Sequence, residues 1–249
     1  MRLCVLRAPA AGPVRGLVVH APALAEEMNK SRRMVALQSR SFAAQGYAVL
    51  QIDLLGCGDS AGDFGDASWD AWVADIVAAA AWLRAEQPRR WPATAGSACA
   101  AQPPLWLWGL RAGCLLACAA AERITEPCDL LFWQPTASGK TVLQQFLRLK
   151  TMGAMLGGQD AGGAAATRAE LAAGRHVDVA GYRLSPALAS GLEAAVLKPP
   201  GLQASSVSSM PPMRPGRIEW LETTTREPAA LSPAAATQLQ AWESAGWSA

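Results

Sequence analysis

Short apolar runs alternate along the chain with stretches whose apolar positions recur at helical spacing. Apolar runs bounded by turn residues are typical of strands buried in a parallel sheet, and the stretches between them indicate covering helices. The predicted strands are 16–20, 47–53, 105–108, 128–133 and 217–222. Their alternation with helices predicts an α/β fold with a mostly parallel, doubly wound sheet.

Helix boundaries follow from capping residues. Asn29 or Ser31 is expected to cap a helix over 34–44, which Gly46 stops, and Ser68 is expected to cap the next amphipathic helix. Further helices are predicted at 142–149, around 186–196 and at 233–246. Proline, alanine and arginine without periodicity predict a surface loop over 87–104, and prolines indicate a linker at 210–215.

The most informative stretch is the turn between the predicted strand 105–108 and the apolar helix pattern that follows it. Gly109 and Gly113 bracket this turn, and Arg111 lies at its centre. Two glycines around one central residue allow a sharp strand-turn-helix elbow. The same turn in α/β-hydrolases reads G-x-S-x-G and presents a nucleophile. Arginine stays protonated and forms no acyl intermediate, so this elbow lacks a serine nucleophile.

The order of these elements resembles the α/β-hydrolase superfamily. The resemblance implies a single domain over 1–249, with residues 151–203 inserted as a cap over the ligand edge of the sheet. Relative to the full set of elements of that superfamily, a carboxyl-terminal strand and helix are expected to be missing from this sequence. Residues 21–29, which follow the first strand, are predicted to form a polar loop at the edge where such sheets bind ligands.

Four stretches indicate a narrower resemblance: Glu-Glu-Met-Asn-Lys-Ser-Arg-Arg within 20–34, Asp-Leu-Leu-Gly-Cys-Gly-Asp-Ser within 53–66, Trp-Gly-Leu-Arg at 108–111, and 133–140. They resemble the second hydrolase family associated with exosortase A systems. This resemblance extends to about residue 197. It implies a hydrolase fold encoded beside genes for exopolysaccharide production and protein sorting.

A hydrolytic triad needs a nucleophile, a base and an orienting acid. Arg111 occupies the nucleophile position, and Glu222, at the end of the last predicted strand, is the candidate acid. No histidine follows His176, so no base is found where the fold would place one.

The donors that would stabilise an oxyanion are the backbone N–H groups of Ala23, Leu24 and Ala112. The preceding segment reads His20-Ala21-Pro22, and Pro22 has no N–H to donate.

Arg111 has two alternative roles. At the start of a helix whose dipole favours anions, its guanidinium would suit a carboxylate, a phosphate or an acidic sugar. Alternatively, Arg111 pairs with Glu26, Glu27 or Asp63 and fills a closed pocket, because a buried guanidinium needs a partner. The sequence leaves both roles open.

Composition narrows the choice of function. The 249 residues are 51% hydrophobic and 17% charged, with a net charge of +2 and no basic stripe that would favour nucleic acid. The start of the chain is too short in apolar residues for a signal peptide, and no stretch suits a membrane span, so a cytoplasmic protein is expected. The six scattered cysteines and two histidines predict no metal site, and no cofactor is expected.

Two nucleotide-binding signals are weak. Gly56-x-Gly58 lacks the third glycine of a dinucleotide fingerprint. Gly139-Lys140-Thr141 follows a strand as in a P-loop, but Gln134 replaces the leading glycine.

Two hypotheses remain. One is a hydrolase acting on an ester or acyl substrate linked to polysaccharide export. The other is a non-catalytic binding or scaffold protein that holds a small anionic, acyl or saccharide ligand through Arg111.

Overall fold

The computed structural model describes residues 1–10, 13–92, 102–156, 163–200, 216–225 and 227–249. Eight strands are present in this part of the chain: β1 (Cys4–Arg7), β2 (Gly16–Ala21), β3 (Tyr47–Ile52), β4 (Leu105–Leu110), β5 (Cys128–Trp133), β6 (Val177–Val179), β7 (Tyr182–Leu184) and β8 (Ile218–Leu221). Its α-helices are α1 (Glu26–Ala44), α2 (Trp69–Arg90), α3 (Ala112–Ala121), α4 (Gly139–Leu156), α5 (Gly163–Ala172), α6 (Pro186–Ala194) and α7 (Pro233–Ser244).

Six strands form one sheet in the order β1-β3-β2-β4-β5-β8. Every neighbouring pair is parallel except β1 with β3. The antiparallel edge strand β1 was missed in the sequence because its side chains are mostly exposed, which removes the apolar run of a buried strand. Strands β6 and β7 pair separately as a hairpin.

Helices cover both faces of the sheet. Val18 of β2 packs with Val35 of α1, whereas its neighbours Leu17 and Val19 belong to the core that contains Ile76 of α2. Successive side chains of a strand point to opposite faces, so α1 lies on one face and α2 on the other. The predicted doubly wound arrangement is confirmed.

Two predicted boundaries were wrong. Helix α1 begins at Glu26 rather than at residue 34, because Ala25, with φ 50°, turns the chain directly from β2 into the helix. Glu26 and Glu27 therefore lie in a first helical turn, where acidic residues interact favourably with the helix dipole, and not in a loop. Helix α2 extends through Pro88 to Arg90, into the predicted surface loop.

Other predicted boundaries agree more closely. Ser68 caps α2 by accepting a hydrogen bond from the Ala71 N–H, and Ser185 caps α6 in the same way through the Leu188 N–H. Helix α4 begins at Gly139, slightly before the predicted start. The predicted linker 210–215 lies outside the described residues. No helix among the described residues is long and apolar enough to cross a membrane.

Candidate functional site

The predicted elbow is present between β4 and α3. Arg111 has φ 54° and ψ −117°, a conformation that residues other than glycine rarely adopt. Its N–H donates to the Trp133 carbonyl at 3.0 Å, and its own carbonyl accepts from the Cys114 N–H at 3.1 Å. These bonds to β5 and α3 hold the strained residue in place.

Both glycines of the elbow are required by close contacts. A Cβ on Gly109 would lie 2.5 Å from the Cα of Cys114, so a side chain there would prevent the tight turn. A Cβ on Gly113 would clash with the carbonyl oxygen of Ala21. The elbow is therefore packed directly against the turn between β2 and α1.

The Arg111 guanidinium pairs with one of its three predicted partners. Its Nε lies 3.2 Å from Glu27 Oε1, and its Nη2 lies 3.5 Å from Gln145 Oε1. The side chains of Arg111 and Glu27 remain 29% and 45% exposed. An exposed pair of this kind contributes about 0–1 kcal/mol, so Glu27 holds the guanidinium loosely.

Neither of the other two predicted partners pairs with Arg111. Glu26 Oε1 accepts a hydrogen bond from the Tyr182 hydroxyl at 2.9 Å, and that hydroxyl accepts from Asn29 Nδ2 at 2.8 Å. Burial, with the Glu26 carboxylate beside it, raises the pKa of Tyr182 to about 12. The Asp63 N–H donates to the Asp66 side chain. Glu26 thus ties α1 to the β6–β7 hairpin and not to the elbow.

The backbone donors predicted for an oxyanion lie in buried segments beside the elbow. Ala23, Leu24 and Ala112 are each about 5% exposed. Leu24 and Ala112 line the same small pocket of about 10 Å³, which Trp72 and Leu192 also line. Ala112 is the first residue of α3, where N–H groups have no acceptor within the helix. Two of the three residues thus line one pocket with space for about one water molecule, and their role as oxyanion donors stays a prediction.

Glu222, the candidate acid, follows β8 as predicted. Its carboxylate accepts hydrogen bonds from the Ser232 N–H at 3.0 Å and from the Ser232 hydroxyl at 3.3 Å. Ser232 in turn caps α7 through the Ala235 N–H. In this arrangement Glu222 stabilises the start of a helix, and a role as a triad acid stays a prediction.

The two histidines have partners away from Arg111 and Glu222. His176 Nε2 lies 3.0 Å from the Gly65 carbonyl on the surface. His20 is buried, and its Nδ1 lies 3.1 Å from the Trp108 carbonyl. Burial lowers the pKa of His20 to about 4, so the ring is neutral at pH 7.

Cysteines offer no reactive thiol near the elbow. Cys114 Sγ is buried 3.8 Å from the Trp133 carbonyl, and burial raises its pKa far above the ordinary range. Burial likewise raises the pKa of Cys57 to about 12. Both side chains are protonated at neutral pH and are poor nucleophiles. Among the described residues, no group of three or more His, Cys, Asp or Glu side chains could hold a metal ion.

The turn that resembles a P-loop is not arranged to cradle phosphate. The Gly139 N–H donates to the Ala195 carbonyl at 2.9 Å, and a Cβ on Gly139 would clash with the Leu192 carbonyl. Gln134 Oε1 accepts from the N–H and the hydroxyl of Thr223. The carboxyl end of α6 therefore covers the start of α4, where phosphate would bind.

Sequence reasoning did not identify Gln145 or Asn29 as members of the site. Gln145 lies 34 residues from Arg111, and Asn29 lies 153 residues from Tyr182. Neither carries a local motif, because each acts through a contact that only folding creates. The sequence did identify Glu26 and Glu27, because they form a pair of carboxylates next to the predicted ligand edge of the sheet.

Comparison with two solved structures of Est1E supports the same architecture. Est1E from Butyrivibrio proteoclasticus superimposes with a TM-score of 0.53 at 13% identity, covering 97% of this chain and 81% of Est1E. Est1E with bound ferulic acid gives a TM-score of 0.51 at 19% identity, and the match covers 79% of this chain and 68% of Est1E. XC6422 from Xanthomonas campestris is described as an α/β serine hydrolase without lid. It gives a TM-score of 0.44 at 22% identity, and the match covers 55% of this chain and 56% of XC6422. The chain therefore spans little more than half the length of XC6422.

The chain has an α/β-hydrolase fold. Its residues 5–105 match the family model of X-Pro dipeptidyl-peptidase (S15 family). No curated protein matches the sequence. The similarities are to serine hydrolases and esterases of this fold, while position 111 of this chain is an arginine.

Proposed function

We propose that this chain uses the α/β-hydrolase fold to bind an anionic ligand through Arg111, without forming a covalent acyl intermediate. The observation that carries the proposal is the position of Arg111 at the apex of the elbow, with a side chain that is 29% exposed and a guanidinium that pairs with Glu27. In hydrolases of this fold the same apex presents the nucleophile to the substrate. A ligand at this apex meets a fixed positive charge instead.

The surroundings of Arg111 favour an oxyacid as the ligand. Arg111 is the N-cap of α3, so its backbone lies beside the first N–H groups of that helix and the positive end of the helix dipole, both of which favour an anion. A carboxylate or phosphate can bridge two N–H groups of a guanidinium in a bidentate contact. Glu27 and Gln145 occupy the Nε and Nη2 edges with long contacts of 3.2 and 3.5 Å. A ligand anion would compete with Glu27 for the guanidinium.

The identity of the ligand is proposed from the resemblance to exosortase-associated hydrolases. An acidic saccharide of an exopolysaccharide carries the carboxylate that Arg111 would recognise. Residues 151–203 would act as a cap over this ligand, and the hydrogen bonds of Tyr182 with Glu26 and Asn29 tie that region to α1. A cytoplasmic location is part of the same proposal.

Ester hydrolysis is the second candidate, and the fold with its elbow is the observation that favours it. Leu24 and Ala112 line a common pocket beside the elbow, as donors to an oxyanion would. This candidate lacks a nucleophile at position 111, and Glu222 is hydrogen-bonded to Ser232. For these reasons we place it second.

One experiment separates the two functions. Binding of galacturonate and of inorganic phosphate is measured by calorimetry, and turnover of p-nitrophenyl acetate is measured on the same samples. The variants are Arg111→Ala, Arg111→Lys and the matched control Arg148→Ala, which removes an exposed arginine of α4. We expect Arg111→Ala to weaken anion binding at least tenfold, Arg111→Lys to weaken it less, and Arg148→Ala to leave it unchanged.

Two results would contradict the binding proposal. One is the absence of binding by the unaltered protein with both anions at 10 mM. The other is ester turnover above background that Arg111→Ala or Glu222→Gln abolishes, which would establish hydrolysis as the function.

A further inference from the structure

A second cleft lies between α1 and the β1-β3-β2 part of the sheet. It has a volume of about 290 Å³, and Arg111 is not among the residues that line it. Its polar lining consists of Arg7, His20, Ser31, Arg32, Gln51, Asp53 and Asp59. The cleft is large enough for a small organic molecule and is distinct from the elbow.

The floor of the cleft follows from the strand register. Val5, Gln51 and His20 are direct neighbours across β1, β3 and β2. Arg7 lies opposite Val49, two residues further along β3 on the same face. Strand spacing of about 4.8 Å and a rise of about 3.3 Å per residue place the Cα atoms of Arg7 and His20 roughly 12 Å apart.

His20 presents an unused acceptor to this cleft. Its Nδ1 lies next to the Trp108 carbonyl, and a carbonyl only accepts, so Nδ1 carries the proton. Because the ring is neutral at pH 7, Nε2 holds a free lone pair. His20 is 4% exposed and lines the cleft, and the described residues offer Nε2 no hydrogen bond. A hydroxyl group on a ligand would satisfy it.

Arg7 presents an unused cation. Its Nε is buried and has no hydrogen-bond partner, and no carboxylate of the described residues pairs with its guanidinium. Arg32, the other arginine of the cleft, pairs with Asp53 at 3.3 Å. A buried guanidinium donor without a partner is costly, and an anion in the cleft would remove that cost.

The remaining lining is apolar and includes Val5, Met28, Val35 and Ile52. We propose that this cleft binds a small hydroxylated carboxylic acid, with its carboxylate on Arg7, its hydroxyl donating to His20 Nε2 and its carbon skeleton against these apolar side chains. The separation of the two polar groups fits a rigid ring that carries the acid and the hydroxyl at opposite ends. Such a ring loses little conformational freedom on binding.

The test uses three related probes: 4-hydroxyphenylacetate, phenylacetate and 4-hydroxyphenylacetamide. The second lacks the hydroxyl group and the third lacks the carboxylate. Their affinities are measured by calorimetry on the unaltered protein, on Arg7→Met and on the matched control Arg40→Met, which removes an exposed arginine of α1. A substitution of buried His20 would risk unfolding the chain, so the hydroxyl contact is tested by changing the ligand.

A direct readout of the contact is the side-chain ¹⁵N spectrum of histidine, because the chain has two histidines, His20 and His176. We expect 4-hydroxyphenylacetate to shift the Nε2 signal of His20 and to leave His176 unchanged. Arg7→Met should weaken its binding at least tenfold, and loss of the hydroxyl should weaken it about fivefold. Arg40→Met should bind as the unaltered protein does.

Four results would overturn this proposal. The first three are no binding of 4-hydroxyphenylacetate at 10 mM, equal affinity in Arg7→Met, and equal affinity for phenylacetate. Arg111→Met removes the anion site proposed at the elbow, and 4-hydroxyphenylacetate should still bind this variant through the contact that Arg7→Met weakens. The fourth result, loss of binding in that variant, would place the ligand at the elbow and would also exclude the cleft as its site.

Discussion

Two turns in this molecule share one backbone conformation and differ in what they present. Ala25, before α1, has φ 50° and ψ −119°, and Arg111, before α3, has φ 54° and ψ −117°. Each residue's carbonyl accepts a hydrogen bond at 3.1 Å from the N–H three residues on, from Met28 and Cys114 respectively. Both turns lead from a parallel strand into a helix, with one residue between β4 and α3 and four between β2 and α1.

The side chains at the two turns are different in kind. Ala25 contributes a methyl group that is 2% exposed, whereas Arg111 contributes a half-buried cation. The strained backbone is therefore a way to start a helix sharply, and the chemistry of each turn depends on the residue placed there. The turns also touch, because Gly113 packs on Ala21 and Glu27 pairs with Arg111.

The largest expected effect tests the contact between the turns. Gly113→Ala places a methyl group against the Ala21 carbonyl, and backbone atoms on both sides must move. We expect a loss of about 3 kcal/mol or more in the free energy of unfolding, measured by urea denaturation. The matched control is Gly174→Ala, where φ is +78° but no atom lies within 4 Å. This control should lose only about 1 kcal/mol of its free energy of unfolding. An equal loss in both variants would show that the two turns are not tightly packed against each other.

A smaller effect compares the strain at the two turns. Arg111→Gly relieves the positive φ and loses a partly exposed ion pair worth about 0–1 kcal/mol, so we expect stability to rise by about 1 kcal/mol while anion binding is lost. Ala25→Gly relieves the same strain but removes a buried methyl group worth about 0.8 kcal/mol, and its stability should hardly change. Thermal unfolding of both variants measures the difference. Destabilisation by Arg111→Gly would mean that its side chain supports the elbow.

The smallest expected effect concerns the ion pair between the turns. Glu27→Gln removes the carboxylate that competes for Arg111, so galacturonate should bind up to about fivefold more tightly, with stability changed by less than about 0.5 kcal/mol. Glu26→Gln is the control, because Glu26 bonds to Tyr182 and not to Arg111. Calorimetry on both variants measures the effect. Equal affinities would show that Glu27 does not control access to the guanidinium.

The parts of the fold that sequence predicted are those with a strong local pattern. Strand β5 was predicted with its observed bounds because it is one apolar run between turn residues. The capping side chain of Ser68 identified the start of α2. Strand β1 has no such pattern, and the first two turns of α1 are polar, so tertiary contacts and the strained Ala25 set those boundaries.

The candidate site was predicted in part for the same reason. The elbow is a local feature, and its glycines and Arg111 were identified from their spacing. The choice of Glu27 over Glu26 as the partner of Arg111 depends on which face of α1 meets the elbow. The cleft beside His20 was missed because its residues come from β1, β2, β3 and α1.

The sequence by itself determined the α/β architecture, the elbow and the presence of an arginine at its apex. These features rest on hydrophobic periodicity, on the absence of a side chain at the two elbow glycines and on the fixed charge of arginine, all of which can be read from short stretches of sequence. The tertiary structure alone decided which charges meet, that His20 is neutral and that Arg7 has no ion-pair partner among the described residues. Those properties depend on distances and burial between residues far apart in the chain, which exist only once the sheet and its helices have packed.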